Sequence, residues 1–226
     1  VNTGAATSPV RAESGPAPVR GARSVAQARP VGEPPLPRIA PRPVLGPVSP
    51  RVTEIITVAR GVLETEGAGA LTMRRIGDLL GIRAPSLYKH LAGKPQLEAK
   101  LIETMLMEIG DLLHDVVDRG GAAEVVPALL AAYRGYAQAH PNLYRLVTAG
   151  SLNRRLLSAD VEDWAGEPFY RAAGEPYRAQ ALWAAAHGTM ILELDGRYLP
   201  GSDLDRTWQA LASAFRRTDP AGDQPG

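Results

Sequence analysis

The chain has 226 residues, with 25 Lys and Arg against 24 Asp and Glu, a formal net charge of +1 and no cysteine. That length accommodates one large domain or two small ones with a sizeable core. The missing cysteines exclude disulfides and thiolate metal sites, and the near-neutral total argues against a general nucleic-acid binder.

Residues 1–48 are rich in Pro, Gly, Ala and Arg and show no periodicity. Runs such as Glu33-Pro34-Pro35-Leu36-Pro37 cannot hold a helix. A disordered arm is expected here. Its arginines, from Arg11 to Arg42, suit either a tail that tracks phosphates or a passive extension. The start, Val1-Asn2-Thr3-Gly4, lacks the basic-then-apolar pattern of a secretory leader. No apolar run approaches bilayer length, so no membrane partner is expected and the location is read as cytoplasmic.

Ser49-Pro50 opens the folded part as an N-cap and first helical position. Val52, Ile55, Ile56, Ala59, Val62 and Leu63 form one stripe of a first helix. Gly67-Ala68-Gly69 ends it; the spacing fits no phosphate-binding loop, and a helix precedes it rather than a strand. Thr72 caps a second helix whose Met73, Ile76, Leu79 and Leu80 share a face. Gly81 turns the chain, and a third helix is expected from Arg83 to His90 with Pro85 in its first turn. Two short helices joined by a tight glycine turn make a helix-turn-helix, whose second helix suits a DNA major groove. Leu87 and Leu91 should point inward. Arg83, Ser86, Tyr88, Lys89 and His90 are left outside as an acid-free face of donors matched to phosphates and base-edge acceptors.

A long fourth helix runs from Lys94 to about Val117, with Leu97, Leu101, Met105, Ile109, Leu112, Leu113 and Val116 as its stripe. Further helices are expected over about 123–140, 142–148, 161–173, 176–198 and 202–217, with Pro168 able to kink the seventh. A loop is read at 150–160 and a frayed tail at 218–226. No strand pattern appears, so the fold class is all-α with about nine helices. The expected organisation is a helix-turn-helix domain at 49–95 and a helical regulatory and dimerisation domain at 96–217.

Catalysis finds little support. His90, His114, His140 and His187 are isolated from one another, with no His-x-x-x-His or His-Glu-x-x-His pair. Gly150-Ser151-Leu152 is no nucleophile elbow, and adjacent Glu162 and Asp163 cannot face each other across a substrate. Neither an enzyme nor a cofactor nor a metal is expected.

Residues 51–102 resemble the DNA-binding domain of the tetracycline-repressor (TetR) family. The resemblance runs in order through E-x-G-A-x-A-L-T-M-R-R-I, L-L-G-I, S-L-Y-K-H and G-K-P-Q-L. It implies phosphate contacts from Thr72, Tyr88 and Lys94, and places Arg83, Ala84 and Ser86 toward base edges. Ala84 departs from relatives with a polar reader there; it can touch only a thymine methyl, which shifts base reading toward Arg83, Ser86 and Lys89. Arg74 and His90 complete the candidate DNA-binding set. The run Trp183-x-x-x-His187-Gly188, followed by Glu193-x-x-Gly196, resembles the regulatory domain of one TetR subgroup. In that family the last two helices pair with their copies in a second subunit. The expected function is thus a one-component transcriptional regulator, acting as a repressor. It would bind a pseudo-palindromic operator as a homodimer and be released by a small, mostly apolar effector. The candidate ligand-binding residues are Tyr133, Tyr136, Trp164, Phe169, Tyr170, Trp183 and His187, which could equally be core and interface packing. The competing reading is a helical protein-interaction module that binds no DNA.

Overall fold

The computed structural model describes residues 41–121, 124–150 and 152–216. Of the expected arm over 1–48, residues 1–40 lie outside them, as does the expected tail over 218–226. Residues 41–49 are without regular structure, and Arg42 lies against the fourth helix, its Nε and Nη2 each donating to Asp111 at 2.7 Å.

Every regular element among the described residues is helical: α1 (Pro50–Glu66), α2 (Met73–Leu79), α3 (Ala84–Leu87), α4 (Lys94–Arg119), α5 (Val125–Ala139), α6 (Pro141–Thr148), α7 (Val161–Ala173), α8 (Pro176–Leu194) and α9 (Leu204–Ala214). The starts follow local chemistry. Ser49 Oγ accepts from Val52 N, Thr72 Oγ1 from Arg75 N and Asp203 from Arg206 N, each supplying an acceptor to an orphan N–H of the first turn. Gly81 sits at φ +65°, the left-handed corner that the helix-turn-helix reading requires.

Several boundaries differ from expectation. The third helix is one turn, Ala84–Leu87, and Tyr88, Lys89 and His90 follow as turns. α8 stops at Leu194 rather than near Tyr198, because Gly196 takes φ +59° and its N–H turns back to the carbonyl of Glu193. α7 continues through Pro168 without interruption, and the loop after α6 contains a short 3-10 turn, Arg154–Leu156. Leu112 is exposed and drops out of the inward stripe of α4.

One apolar core runs through these helices. Ile55, Ala59 and Leu63 of α1, Ile76 of α2, Leu87 of α3 and Leu97 and Leu101 of α4 fill the end nearest the glycine turn. The same core continues along α4 through Met105, Ile109 and Leu113 to α5, α7 and α8. α4 is therefore the shared strut, packing on α1 at its start and on α5, α6 and α7 beyond. No helix among the described residues is long and apolar enough to cross a membrane.

Candidate functional sites

The first site is the outer face of α2 and α3. Leu87 and Leu91 are buried as expected, which orients the rest of the segment. Arg74, Arg83, Tyr88, Lys89, His90 and Lys94 are exposed or partly so, and Ser86 is half-buried. Thr72 presents the α2 N-terminus beside them. The cations here are largely uncommitted. Lys94 lies 3.6 Å from Glu98, and Arg74, Arg83 and Lys89 enter no ion pair among the described residues. Many other arginines are paired, Arg75 of α2 to Glu66, Arg60 to Glu108, Arg134 to Glu193 and Arg145 to Asp195, while Arg155, Arg197 and Arg206 enter no ion pair among the described residues. Free donors gathered on one face are what a polyanion requires.

The second site is a cavity of about 410 Å³ lined by α4, α5, α6, α7, α8 and the loop after α6. Met105, Ile109, Val147 and Ala165 supply its apolar wall, and Tyr133, Tyr144, Thr148 and His187 also line it. Arg154 and Glu162, paired at 2.8 Å, line it as well. A neighbouring cavity of about 360 Å³ shares Leu106, Arg154, Glu162, Ala165 and Trp183 and adds Phe169 and Tyr170.

Of the aromatic candidates, Tyr133, Trp183 and His187 meet in the first cavity, and Phe169, Tyr170 and Trp183 in the second. Tyr136 and Trp164 line neither. Tyr136 donates its hydroxyl to Glu108 at 2.7 Å, on the side facing α1. Trp164 stacks on His114 with ring centroids 3.6 Å apart and donates Nε1 to Asp111 at 3.0 Å. Both are held by polar partners on α4, which sequence periodicity does not reveal. Tyr144 was missing from the candidates, although it lies in the run His140-Pro141-Asn142-Leu143-Tyr144 at the start of α6. Its hydroxyl is 2.7 Å from that of Tyr133 and 2.8 Å from His187 Nδ1.

Burial sets the ionisation of these groups. It pushes the Tyr133 hydroxyl up to about 12, an effect only partly offset by the neighbouring Tyr144 hydroxyl and Trp183 indole. It raises Tyr144 further and lowers His187 below the ordinary imidazole value, so His187 is neutral near pH 7. Among the described residues no three His, Asp or Glu side chains converge as a metal site.

A polar seam joins α1 to the helices around the cavity. Burial would raise the Glu108 carboxyl, but hydrogen bonds from Arg60 and Tyr136 hold it below its usual range. One turn along α1, the Glu64 carbonyl accepts from Asn142 Nδ2 at 3.0 Å, tying α6 to α1.

Residues 126–215 match the family profile described as Tetracyclin repressor-like, C-terminal domain. An uncharacterized HTH-type transcriptional regulator of Mycobacterium tuberculosis is 29% identical over 156 residues, covering 63% of this chain and 69% of the relative. Among solved structures, a TetR/AcrR-family transcriptional regulator from Thermobifida fusca superposes with a TM-score of 0.53 at 19% identity, covering 74% of this chain and 97% of the other. BioQ bound to its natural double-stranded DNA operator gives 0.51 at 20% identity, over 74% and 98%. The chain is thus similar to a TetR-like C-terminal domain over 126–215 and to an HTH-type transcriptional regulator over 156 residues, and it shares the all-helical fold of the solved structures.

Proposed function

We propose that this chain is a one-component regulator in which a two-fold dimer sets two α2–α3 faces on an operator. A small, mostly apolar effector in the α4–α8 cavities would release it. The observation that carries the reading is the set of uncommitted donors on α2–α3, Arg74, Arg83, Tyr88, Lys89 and His90, on a fold whose other arginines are largely paired. In this reading Thr72, Tyr88 and Lys94 hold phosphates while Arg83, Ser86 and Lys89 reach base edges, with Ala84 at a thymine methyl. The DNA-reading part is residues 49–95, and the regulatory and dimerising part 96–217. The Trp183, His187 and Gly188 run supports the subgroup that carries it.

The dimer face we assign is the outer side of α8. Tyr177, Ala181, Ala184, Gly188 and Leu192 recur every three or four residues and are all exposed. Small residues along such a stripe let a second helix approach closely. Leu182 is fully buried within the subunit and is not available to a partner.

The effector signal would pass through α6. Tyr144, Val147 and Thr148 of α6 line the cavity, and Asn142 of the same helix holds α1. An occupant that displaces α6 moves α1 and, with it, the spacing of the two reading faces. By linkage, an effector that lowers operator affinity has its own affinity lowered by the operator to the same extent. A mobility-shift titration on genomic fragments tests the reading. A few fragments should bind tightly with affinity falling steeply as salt rises, whereas uniform or absent binding would favour the protein-interaction module.

A further inference from the structure

Taking the α4–α8 cavity as the effector site, we propose that His187 presents it with a fixed N–H donor. The effector is then an apolar molecule carrying a neutral hydrogen-bond acceptor, such as a ketone or ester carbonyl.

The argument follows the direction of a hydrogen-bond chain. The Tyr133 hydroxyl lies 2.7 Å from that of Tyr144, which lies 2.8 Å from His187 Nδ1. Two senses are conceivable. If His187 Nδ1 carried the proton and donated to Tyr144, Tyr144 would donate to Tyr133. The Tyr133 O–H would then have no acceptor among the described residues, although Tyr133 is only 3% exposed. A buried hydroxyl proton without a partner is costly. In the opposite sense both hydroxyl donors are used: Tyr133 to Tyr144, and Tyr144 to His187 Nδ1. Nδ1 is then an acceptor, and a neutral imidazole must carry its proton on Nε2.

That Nε2–H is then a donor left for a ligand. It has no partner among the described residues and is not among the fully buried unpartnered atoms, and the His187 ring lines the cavity. A donor at the wall selects an acceptor in the guest. An ammonium would bring a donor against it. A carboxylate would need a cation, and Arg154, the cation of the lining, is already paired with Glu162 at 2.8 Å. A neutral carbonyl on an apolar skeleton meets the donor and fills the Met105, Ile109 and Val147 wall with no buried charge to offset.

Two measurements on the full chain test this. The first needs no ligand: two-bond 15N–1H correlation spectra of ring-labelled histidine, with the His187 signal assigned by its loss in His187→Phe. We expect the Nε2–H tautomer in the wild type and a tautomer mixture in Tyr144→Phe; an Nδ1–H tautomer in the wild type overturns the proposal. The second titrates 2-octanone, octane and octylamine against tryptophan fluorescence. His187→Phe should weaken 2-octanone up to about tenfold, the worth of one net hydrogen bond, and leave octane unchanged. Equal changes for ketone and alkane, or octylamine binding more tightly than ketone, overturn the acceptor rule. If none of the three binds while the Nε2–H tautomer is present, the effector-site reading itself fails and takes the effector class with it.

Discussion

Gly110 and Trp164 give the sharpest test of how α4 and α7 pack. Gly110 is interior to α4, where replacing glycine by alanine ordinarily gains about 1 kcal/mol of helix stability. Here the new Cβ would lie only 2.7 Å from Trp164 Nε1, with Cδ1 closer still. Trp164 cannot retreat without losing its 3.6 Å stack on His114 and its 3.0 Å hydrogen bond to Asp111. Overpacking of this kind costs about 1–3 kcal/mol, and the double anchoring puts the cost in the upper half of that range. Gly110→Ala should therefore lose about 1–2 kcal/mol net. Trp164→Ala should lose about 3 kcal/mol, the low end for an aromatic truncation because the ring is only partly buried. In the Trp164→Ala background the clash is gone, and Gly110→Ala should stabilise by about 1 kcal/mol. The sign reversal implies a coupling energy of about 2–3 kcal/mol. Thermal unfolding of the four proteins at one protomer concentration measures it. A rise in Tm on Gly110→Ala in the wild-type background would refute the packing argument.

Other outcomes follow from the remaining sites. Lys94→Ala should weaken binding to all DNA sequences and, with two copies in a dimer, reduce the log–log salt slope by about 1.8; Arg83→Ala should instead relax preference at one base pair per half-site, costing about 1–3 kcal/mol there, and an unchanged selected motif would count against Arg83 as a reader. A Cβ added at Gly188 meets no atom within 4 Å inside the subunit, so Gly188→Glu should fold yet sediment as a monomer with poor operator affinity; a dimer would move the interface off the outer side of α8. Tyr136→Phe removes one of the donors holding the Glu108 pKa down. That lowered pKa adds stability above the ordinary carboxylate value of 4.5, and the stability is lost as pH falls through the folded value. The variant should therefore be less stable near neutrality and converge on the wild type in acid, as read from denaturant midpoints across pH; a gap independent of pH would assign the loss to packing.

The helix-turn-helix was legible because its signals are local. Thr72 caps, Gly81 turns at positive φ, and Leu87 and Leu91 alternate with exposed donors, all within one stretch of chain. The starts at Ser49 and Thr72 were legible for the same reason, since each caps its own first turn. The cavity was only half legible. Its aromatics were recognisable as residues, but which of them face a void depends on long-range pairing. Trp164 is claimed by His114 and Asp111, Tyr136 by Glu108, and neither partner can be inferred from spacing along one helix. Tyr144 was overlooked because its role comes from Tyr133 and His187 on two other helices. The loop from Gly150 to Asp160 carried no periodicity, yet it delivers Leu152 and Arg154 to the cavity wall.

The central claim is that two α2–α3 faces read one operator. Selecting bound duplexes from a random library with the full chain tests it most directly. The account predicts an inverted repeat with half-site centres about 34–36 Å apart, one helical turn or a multiple of it, and loss of enrichment with Arg83→Ala and Lys89→Ala together. Recovery of no motif, or of a single asymmetric half-site undisturbed by those substitutions, would contradict it.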